Sequence, residues 1–427
     1  MKILYCVRLF SGLQQSVEDE SWRPTGVPTI YRMIERLARD RHDASIVLAC
    51  KDGNVTWRGT RNIALTLTGL GAPVNVLAGV RRWSRFPRKV RGPLREFAHA
   101  LAVRRAYRRE RPDLVYLDHA NIFVAGFLAI TTRARIVMRI MGVYPVMRDA
   151  LTGTGLRCRL LRWCYRRRFA LVVCTQDGSG VERWLEDALH VDVPRIALLN
   201  GIDRGKVAAD TGVEDLPDDA TVVMFLGKLE PEKGALAFID AFLDARRRAT
   251  GRLFALIVGT GSDAAAIRHR IETDDAGASV RMLERLPHAA VLALLERVDI
   301  YVSLNRLGNL SNANLEALAA GCCMVFPAVQ PDLGIDVATD RLIPANAALR
   351  ISSTDDTAGL ADSIVALVGD PDRRAGMGAA AKQAGATLLT DWDTRIDAEI
   401  ALLMGLAEGG DGAELVAHRS KQEAHVH

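Results

Sequence analysis

The chain has 427 residues, 49% hydrophobic and 25% charged; that composition excludes disordered and collagen-like chains, and at roughly 100 to 200 residues per domain the length points to two or three domains. No apolar stretch reaches the ~20 residues needed to cross a bilayer, the start MKILYCVRLF carries no secretory cleavage pattern, and seven cysteines fit neither a zinc site nor a disulfide framework, so the expectation is a cytoplasmic protein with reduced, structural thiols. The net charge of +5 is split unevenly, with 34 Lys or Arg against 17 acids in residues 1–200 and 22 against 34 in residues 201–427; a basic half usually faces an anionic partner.

In chain order, a strand at 2–7 leads through a loop to the helix pattern TIYRMIERLARD, followed by strand patterns at 44–50, 73–78, 113–117, 134–139 and 170–175. The second half repeats the alternation with strands at 221–227, 252–259, 279–283, 299–304 and 322–327, separated by helices such as ALAFIDAFLDA. Apolar runs this short and continuous read as strands buried on both faces of parallel sheets. Their alternation with helices predicts two doubly wound, Rossmann-like α/β domains facing each other across a cleft. The seam is expected in the polar stretch 203–220, and ligands are expected in loops beyond the carboxyl ends of strands.

Two such loops carry chemistry. The first, after the strand at 221–227, reads GKLEPEKG and places Lys228 and Lys233 between Gly227 and Gly234 at a helix start. Two ammonium groups and backbone N–H donors there suit a diphosphate; a solvated turn is the alternative. The second, LNRLGNLSNANLEALAAG from Leu304, supplies Asn305, Asn309, Leu310, Ser311 and Asn312 with consecutive amides at a helix start, a lining for sugar hydroxyls and phosphate. Taken alone, Ser311 or Asn312 also reads as an N-cap and Glu316 as a favourable early-helix acid.

Together these segments resemble the retaining glycosyltransferases of family 4, which have the two-domain GT-B fold. The G-(R/K)-L-x-x-x-K-G element is matched by Gly227, Lys228, Leu229, Lys233 and Gly234, and the V-G-x-G strand end by Val258, Gly259 and Gly261. The E-A-x-A-x-G-x-P-V-like element is matched by Glu316, Ala317, Ala319, Gly321 and Val325, and LLNGID at 198–203 looks like the family's linker entry. The resemblance implies a nucleotide-diphosphate sugar donor held by the second domain, with Lys228 and Lys233 on the diphosphate, Glu316 on the ribose, and amides around 308–311 on phosphate and sugar. It implies an acceptor in the first domain, with Gly26 close to the donor phosphate and His119, at the end of the strand LVYLD, in the cleft. A structural histidine is the other reading of His119, and Arg139 is equally a cleft residue or a surface charge. Two positions depart from the pattern: Gly308 stands where the first Glu of E-x7-E is usual, and Thr25 where a second glycine precedes Gly26. The missing Glu bears on which sugar is bound.

The resemblance also implies retention without a covalent nucleophile and no metal or cofactor, the lysines neutralising the leaving diphosphate. Three other patterns are set aside. GTGSDA at 259–264 spells a dinucleotide fingerprint deep in the second domain, Asp391–Trp392–Asp393 opens a helix, and 336–340 reads as a polar connection. Residues 81–111 hold twelve Lys or Arg and two acids among Trp83, Phe86, Phe97 and Tyr107, and 157–169 hold six Arg and no acid. That pattern suits an anionic membrane surface at the inner face of the cell membrane. Solvated helical faces are the bland alternative, and no nucleic-acid module accompanies the arginines.

The expected organisation is an acceptor domain over 1–203, a donor domain over 204–387, a closing helix over 388–407 crossing back to the first domain, and a disordered tail over 408–427. The expected function is sugar transfer to a carbohydrate or lipid-linked acceptor in polysaccharide or glycolipid synthesis. A nucleotide-sugar epimerase of the same fold and an inactive glycosyltransferase-like scaffold are the alternatives.

Overall fold

The computed structural model describes residues 1–51, 60–203 and 216–426 and divides into two α/β units. Unit one comprises Met1–Thr175, Glu182–Leu198 and Trp392–His425; unit two comprises Gln176–Val181, Leu199–Asp391 and Val426–His427. The division therefore falls after Leu198, ahead of the expected seam, of which residues 204–215 lie outside the described residues.

Unit one is built on β1 (Lys2–Arg8), β2 (Asp43–Ala49), β3 (Ile63–Thr66), β4 (Pro73–Leu77), β5 (Leu114–Asp118), β6 (Ile136–Ile140), β7 (Leu171–Thr175) and β8 (Arg195–Leu198). They form one sheet in the order β3-β4-β2-β1-β5-β6-β7-β8, parallel except for β3 against β4. All five residues of β5, β6 and β7 are buried, as the inner strands of a parallel sheet covered on both faces should be. The two edge strands were not anticipated: β3 and β8 alternate more and less buried positions and lack the continuous apolar run of an inner strand. The order reverses between β1 and β5, which opens a crevice beyond their carboxyl ends.

The helix Trp392–Ala407 packs Ile396, Ile400, Leu403 and Leu406 into the core on one face of this sheet. An ion network adds to the apolar contact. Glu399 lies 3.4 Å from Arg139 and 2.8 Å from Arg395, the Tyr116 hydroxyl donates to its Oε1, and Arg139 donates to Thr175 Oγ1 at 2.7 Å. Burial would raise the Glu399 carboxyl, but the fields of Arg139 and then Arg395 hold it below the ordinary carboxylate range. Arg139 is 1% exposed, so it is neither a cleft residue nor a surface charge but part of the contact holding this helix.

The expected disorder of 408–427 is corrected: Gly412–Val426 is a helix. Asp411 Oδ1 accepts from Ala413 N at 2.8 Å and so caps its start. Leu415 and Val416 pack on the unit-one core, a tertiary stabilisation that the short, mixed sequence does not advertise.

Unit two carries β9 (Thr221–Leu226), β10 (Leu253–Val258), β11 (Val280–Leu283), β12 (Ile300–Val302), β13 (Cys323–Pro327) and β14 (Ala348–Ile351). They form an all-parallel sheet in the order β11-β10-β9-β12-β13-β14, with an apolar cluster on each face. Its order reverses between β9 and β12. The loops after those two strands are the lysine loop and the asparagine loop, so one crevice receives both.

Candidate functional site

In unit two the lysine loop is held by its neighbours. Gly227 N donates to Val258 O at 3.0 Å, and Leu229 N to Thr260 O at 2.9 Å. A Cβ on Gly259 would stand 1.8 Å from Gly227 O, and one on Gly261 2.1 Å from Leu229 O. The G-x-G after β10 thus lets the loop beyond β9 lie against it; Gly259 supports the site through its backbone. Gly234 sits at φ +73°, with its Cβ position 2.6 Å from the Leu304 Cβ, and Arg306 N donates to Glu232 O at 2.9 Å. The two loops consequently form one packed unit. Lys228 is exposed and Lys233 half-buried. Burial lowers the Lys233 pKa; Lys228 adds to that, while Asp177 opposes it.

The asparagine loop corrects part of the expectation. Asn309 is fully buried, and its side chain is committed: Nδ2 donates to Asp336 Oδ2 at 2.7 Å and Asn305 O at 3.1 Å, and Oδ1 accepts from Ser303 Oγ at 2.8 Å. Its amide donates to Asp336 Oδ1 at 2.7 Å, and the Leu310 amide to Asp177 O at 3.0 Å. Asn309 and Leu310 therefore shape the loop and have no donor left for a ligand. Ser311 caps the helix Asn312–Ala320, accepting from Asn314 N. The amides of Ser311, Asn312 and Ala313 keep no acceptor among the described residues, as the first turn of a helix should. Asn312 Oδ1 accepts from Asn200 Nδ2 at 2.6 Å. Glu316, 8% exposed, meets His288 Nε2 at 2.8 Å through Oε1.

Gly308 explains its own identity. At φ +131°, its Cβ would lie 2.4 Å from Gly178 C, 2.5 Å from Ser179 N and 2.8 Å from Asp177 O. The segment Gln176–Val181, counted with this unit, fills the space a side chain would need. Asp336 fastens it, since Asp336 N donates to Gly178 O at 2.7 Å and Thr339 Oγ1 donates to Asp336 Oδ1 at 2.6 Å. Residues 336–340 are thus not a plain polar connection: Asp336 is 2% exposed and ties two loops together. The same segment brings in Asp177, whose Oδ1 accepts from the Ser179 amide at 3.0 Å. Burial pushes the Asp177 carboxyl up to about 6, against the Ser179 hydrogen bonds and the charge of Lys233. Sequence reasoning missed Asp177 and Asp336; the turn-forming QDGSG after β7 was the one available signal.

In unit one, Gly26 has φ +89°, and its neighbour Thr25 donates its amide to Gly12 O at 3.0 Å. A Cβ on Gly12 would stand 1.8 Å from Thr25 O, so Gly12, a residue the sequence reading passed over, is what lets the chain before Gly26 lie against the first helix of the unit. His119 follows β5 directly. Its ring stacks on Tyr165 with centroids 5.7 Å apart, and its Nε2 shares a 2.7 Å hydrogen bond with the Tyr165 hydroxyl. Desolvation pushes His119 down to about 4, so it is neutral at physiological pH. Beside it, Asp118 accepts from Arg8 N at 2.9 Å and Asn121 Nδ2 at 2.6 Å.

Residues 208–384, which lie within unit two, match the model of the family described as glycosyl transferases group 1. Among curated proteins, the phosphatidyl-myo-inositol mannosyltransferase of Mycolicibacterium smegmatis is 27% identical over 202 residues, 47% of this chain and 49% of that protein. Its Mycobacterium tuberculosis counterpart is 30% identical over 145 residues, 34% of this chain and 37% of that protein. The chain thus spans about half or less of the relatives it matches. Sucrose-phosphate synthase from Thermosynechococcus elongatus superposes with a TM-score of 0.69 at 15% identity, over 95% of this chain and 99% of that one. Anabaena HepE, solved with UDP-glucose, gives 0.62 at 16%, over 95% and 99%. The fold is that of the GT-B glycosyltransferases.

Proposed function

We propose that the protein is a retaining glycosyltransferase that takes a sugar from a nucleotide-diphosphate donor and passes it to an acceptor bound by unit one, at an anionic membrane face. The observation that carries this reading is that the loop bearing Lys228 and Lys233 packs, at the β9/β12 switch point, against the loop that ends in the orphan amides of Ser311, Asn312 and Ala313. Cations and a helix N-terminus together suit a diphosphate, and the group 1 match covers the same residues. HepE was solved with UDP and UDP-glucose, and the mycobacterial relatives act on phosphatidyl-myo-inositol; donor and acceptor classes of those kinds are the reading for this chain.

In the proposed reaction the acceptor oxygen bonds to the anomeric carbon on the face that the phosphate leaves. The carbon–oxygen bond to phosphate breaks, and the acceptor proton passes to the departing phosphate oxygen. Lys228 and Lys233 stabilise the charge that develops there. Glu316 keeps one carboxylate oxygen for the ribose while His288 holds the other. Neutral His119 offers a donor or acceptor to the acceptor molecule rather than a charge. Mass spectrometry of products across a panel of nucleotide sugars and acceptors tests this. Transfer with the anomeric configuration of the donor preserved supports it, whereas isomerised donor with no acceptor product would indicate an epimerase, and absence of both an inactive scaffold.

A further inference from the structure

Unit one contains a groove of about 880 Å3 between the helices Arg88–Glu110, Ile122–Thr131 and Leu156–Tyr165, within the ~300–1,000 Å3 range of small-molecule sites. Its walls are hydrocarbon: Phe97, Phe127, Ile130, Leu156, Leu160 and Trp163 line it. These are not ordinary surface residues. Of thirteen large apolar side chains exposed among the described residues, nine fall between Phe86 and Trp163, and Phe97, Ile130 and Leu156 are 56%, 57% and 81% exposed. A contiguous apolar patch in a soluble unit marks a binding surface. The groove also has depth, since the nearly inaccessible Ala100, Leu161 and Cys164 form part of its lining. A flat bilayer would cover the outer side chains and leave that floor unfilled; a single flexible chain fills it.

Charge identifies the rest of the ligand. The lining includes Lys51, Lys89, Arg95 and Arg157 against one acid, Glu96. Glu96 is taken by Lys51 at 2.5 Å and Arg95 at 2.8 Å, while Lys89 and Arg157 make no ion pair among the described residues and are exposed. His119 and Tyr165 line the same groove, so it ends beside the β1/β5 crevice. We propose that this groove holds the hydrocarbon tail of one acceptor lipid, with its anionic head between Lys89 and Arg157 and its reacting hydroxyl directed to His119. The acceptor role rests on the glycosyltransferase reading; the binding of an anionic amphiphile does not.

The probe is dodecyl phosphate below its micelle concentration, titrated calorimetrically into the full chain, with dodecanol and dodecyltrimethylammonium as comparisons. One-to-one saturable binding is expected, at least tenfold weaker for both comparison ligands and for Leu160→Glu, Leu156→Glu and the double variant Lys89→Glu/Arg157→Glu. The substituted side chains are exposed, and an unchanged circular-dichroism spectrum and thermal transition of the full chain report that each variant is folded. Equal binding of the cationic amphiphile, or undiminished binding by both leucine variants, overturns the proposal. So does an absence of binding accompanied by Leu160→Glu abolishing co-sedimentation with anionic vesicles, which would make the patch a bilayer contact, or dissolving a dimer, which would make it a contact between copies. Amphiphile binding without sugar transfer to any acceptor refutes the glycosyltransferase reading and leaves the groove standing; transfer without amphiphile binding does the reverse.

Discussion

Replacing Gly308 by alanine tests the packing that the site depends on. The new Cβ would lie 2.4 Å from Gly178 C and 2.5 Å from Ser179 N, both backbone atoms, so no rotamer change relieves the overlap. The segment 177–179 must move, which breaks the bonds from Leu310 N to Asp177 O and from Asp336 N to Gly178 O. Two buried hydrogen bonds at about 1 kcal/mol each, together with about 1–3 kcal/mol for overpacking at a left-handed φ, predict a loss of about 3–5 kcal/mol. For a unit of this size that lowers its thermal transition by about 6–12 °C at the lower figure. Differential scanning fluorimetry measures the shift, and titration with UDP or GDP measures the accompanying loss of donor affinity. Gly277→Ala, where a Cβ meets nothing within 4 Å, is the control. A Gly308→Ala protein as stable as that control would refute the account of why glycine stands there, and a Gly308→Glu protein with normal stability would do so more strongly.

Lys233→Ala should weaken nucleoside diphosphate binding about tenfold, ~1.4 kcal/mol, and nucleoside monophosphate binding less; equal losses in calorimetry would remove Lys233 from the diphosphate. Because Asp177 titrates near 6, affinity for a nucleotide-diphosphate sugar, which itself does not titrate there, should rise as pH falls from 7 to 5 and the carboxylate beside Lys233 is neutralised. Asp177→Asn should flatten that profile. The raised pKa also means that stability is fully present below about 3.9, the unfolded value, and is lost as pH rises through 6, so Asp177→Asn should stabilise the protein at pH 7. Glu399→Gln leaves Arg139 and Arg395 buried without a counter-charge and should cost about 3–5 kcal/mol, read as early proteolysis of the helix Trp392–Ala407; an unchanged melting profile would deny the network its role. Co-sedimentation with anionic vesicles should fade as salt rises, because exposed charges are screened beyond ~10 Å at 0.1 M, and Arg105→Glu with Arg108→Glu should reduce it.

Much of the architecture was legible in the chain because doubly wound sheets write themselves locally. Runs such as LVYL and LFALIV are apolar at every position since both faces are covered, and the lysine loop and the asparagine loop follow strands directly, where a switch point exposes them. The edge strands β3 and β8 escaped because each is only partly covered. The final helix escaped because its order comes from Leu415 and Val416 packing on the unit-one core, not from its own sequence. What tertiary structure alone decided is which polar groups remain available. Asn309, Leu310 and Ser311 looked like ligand contacts, yet Asp336, 27 residues beyond Asn309, and Asp177, far upstream, occupy the first two, while the third spends its side chain on capping its own helix and keeps only its amide free. Arg139 became a buried partner of Glu399, 260 positions away in the chain, a pairing that no spacing foretells. Glycine at 308 marks a departure from pattern in the sequence, but only the backbone of Gly178 lying against it supplies the reason. A one-dimensional pattern records which residues can do chemistry; hydrogen-bond saturation and excluded volume, which depend on segments brought together by folding, determine which of them are free to do it.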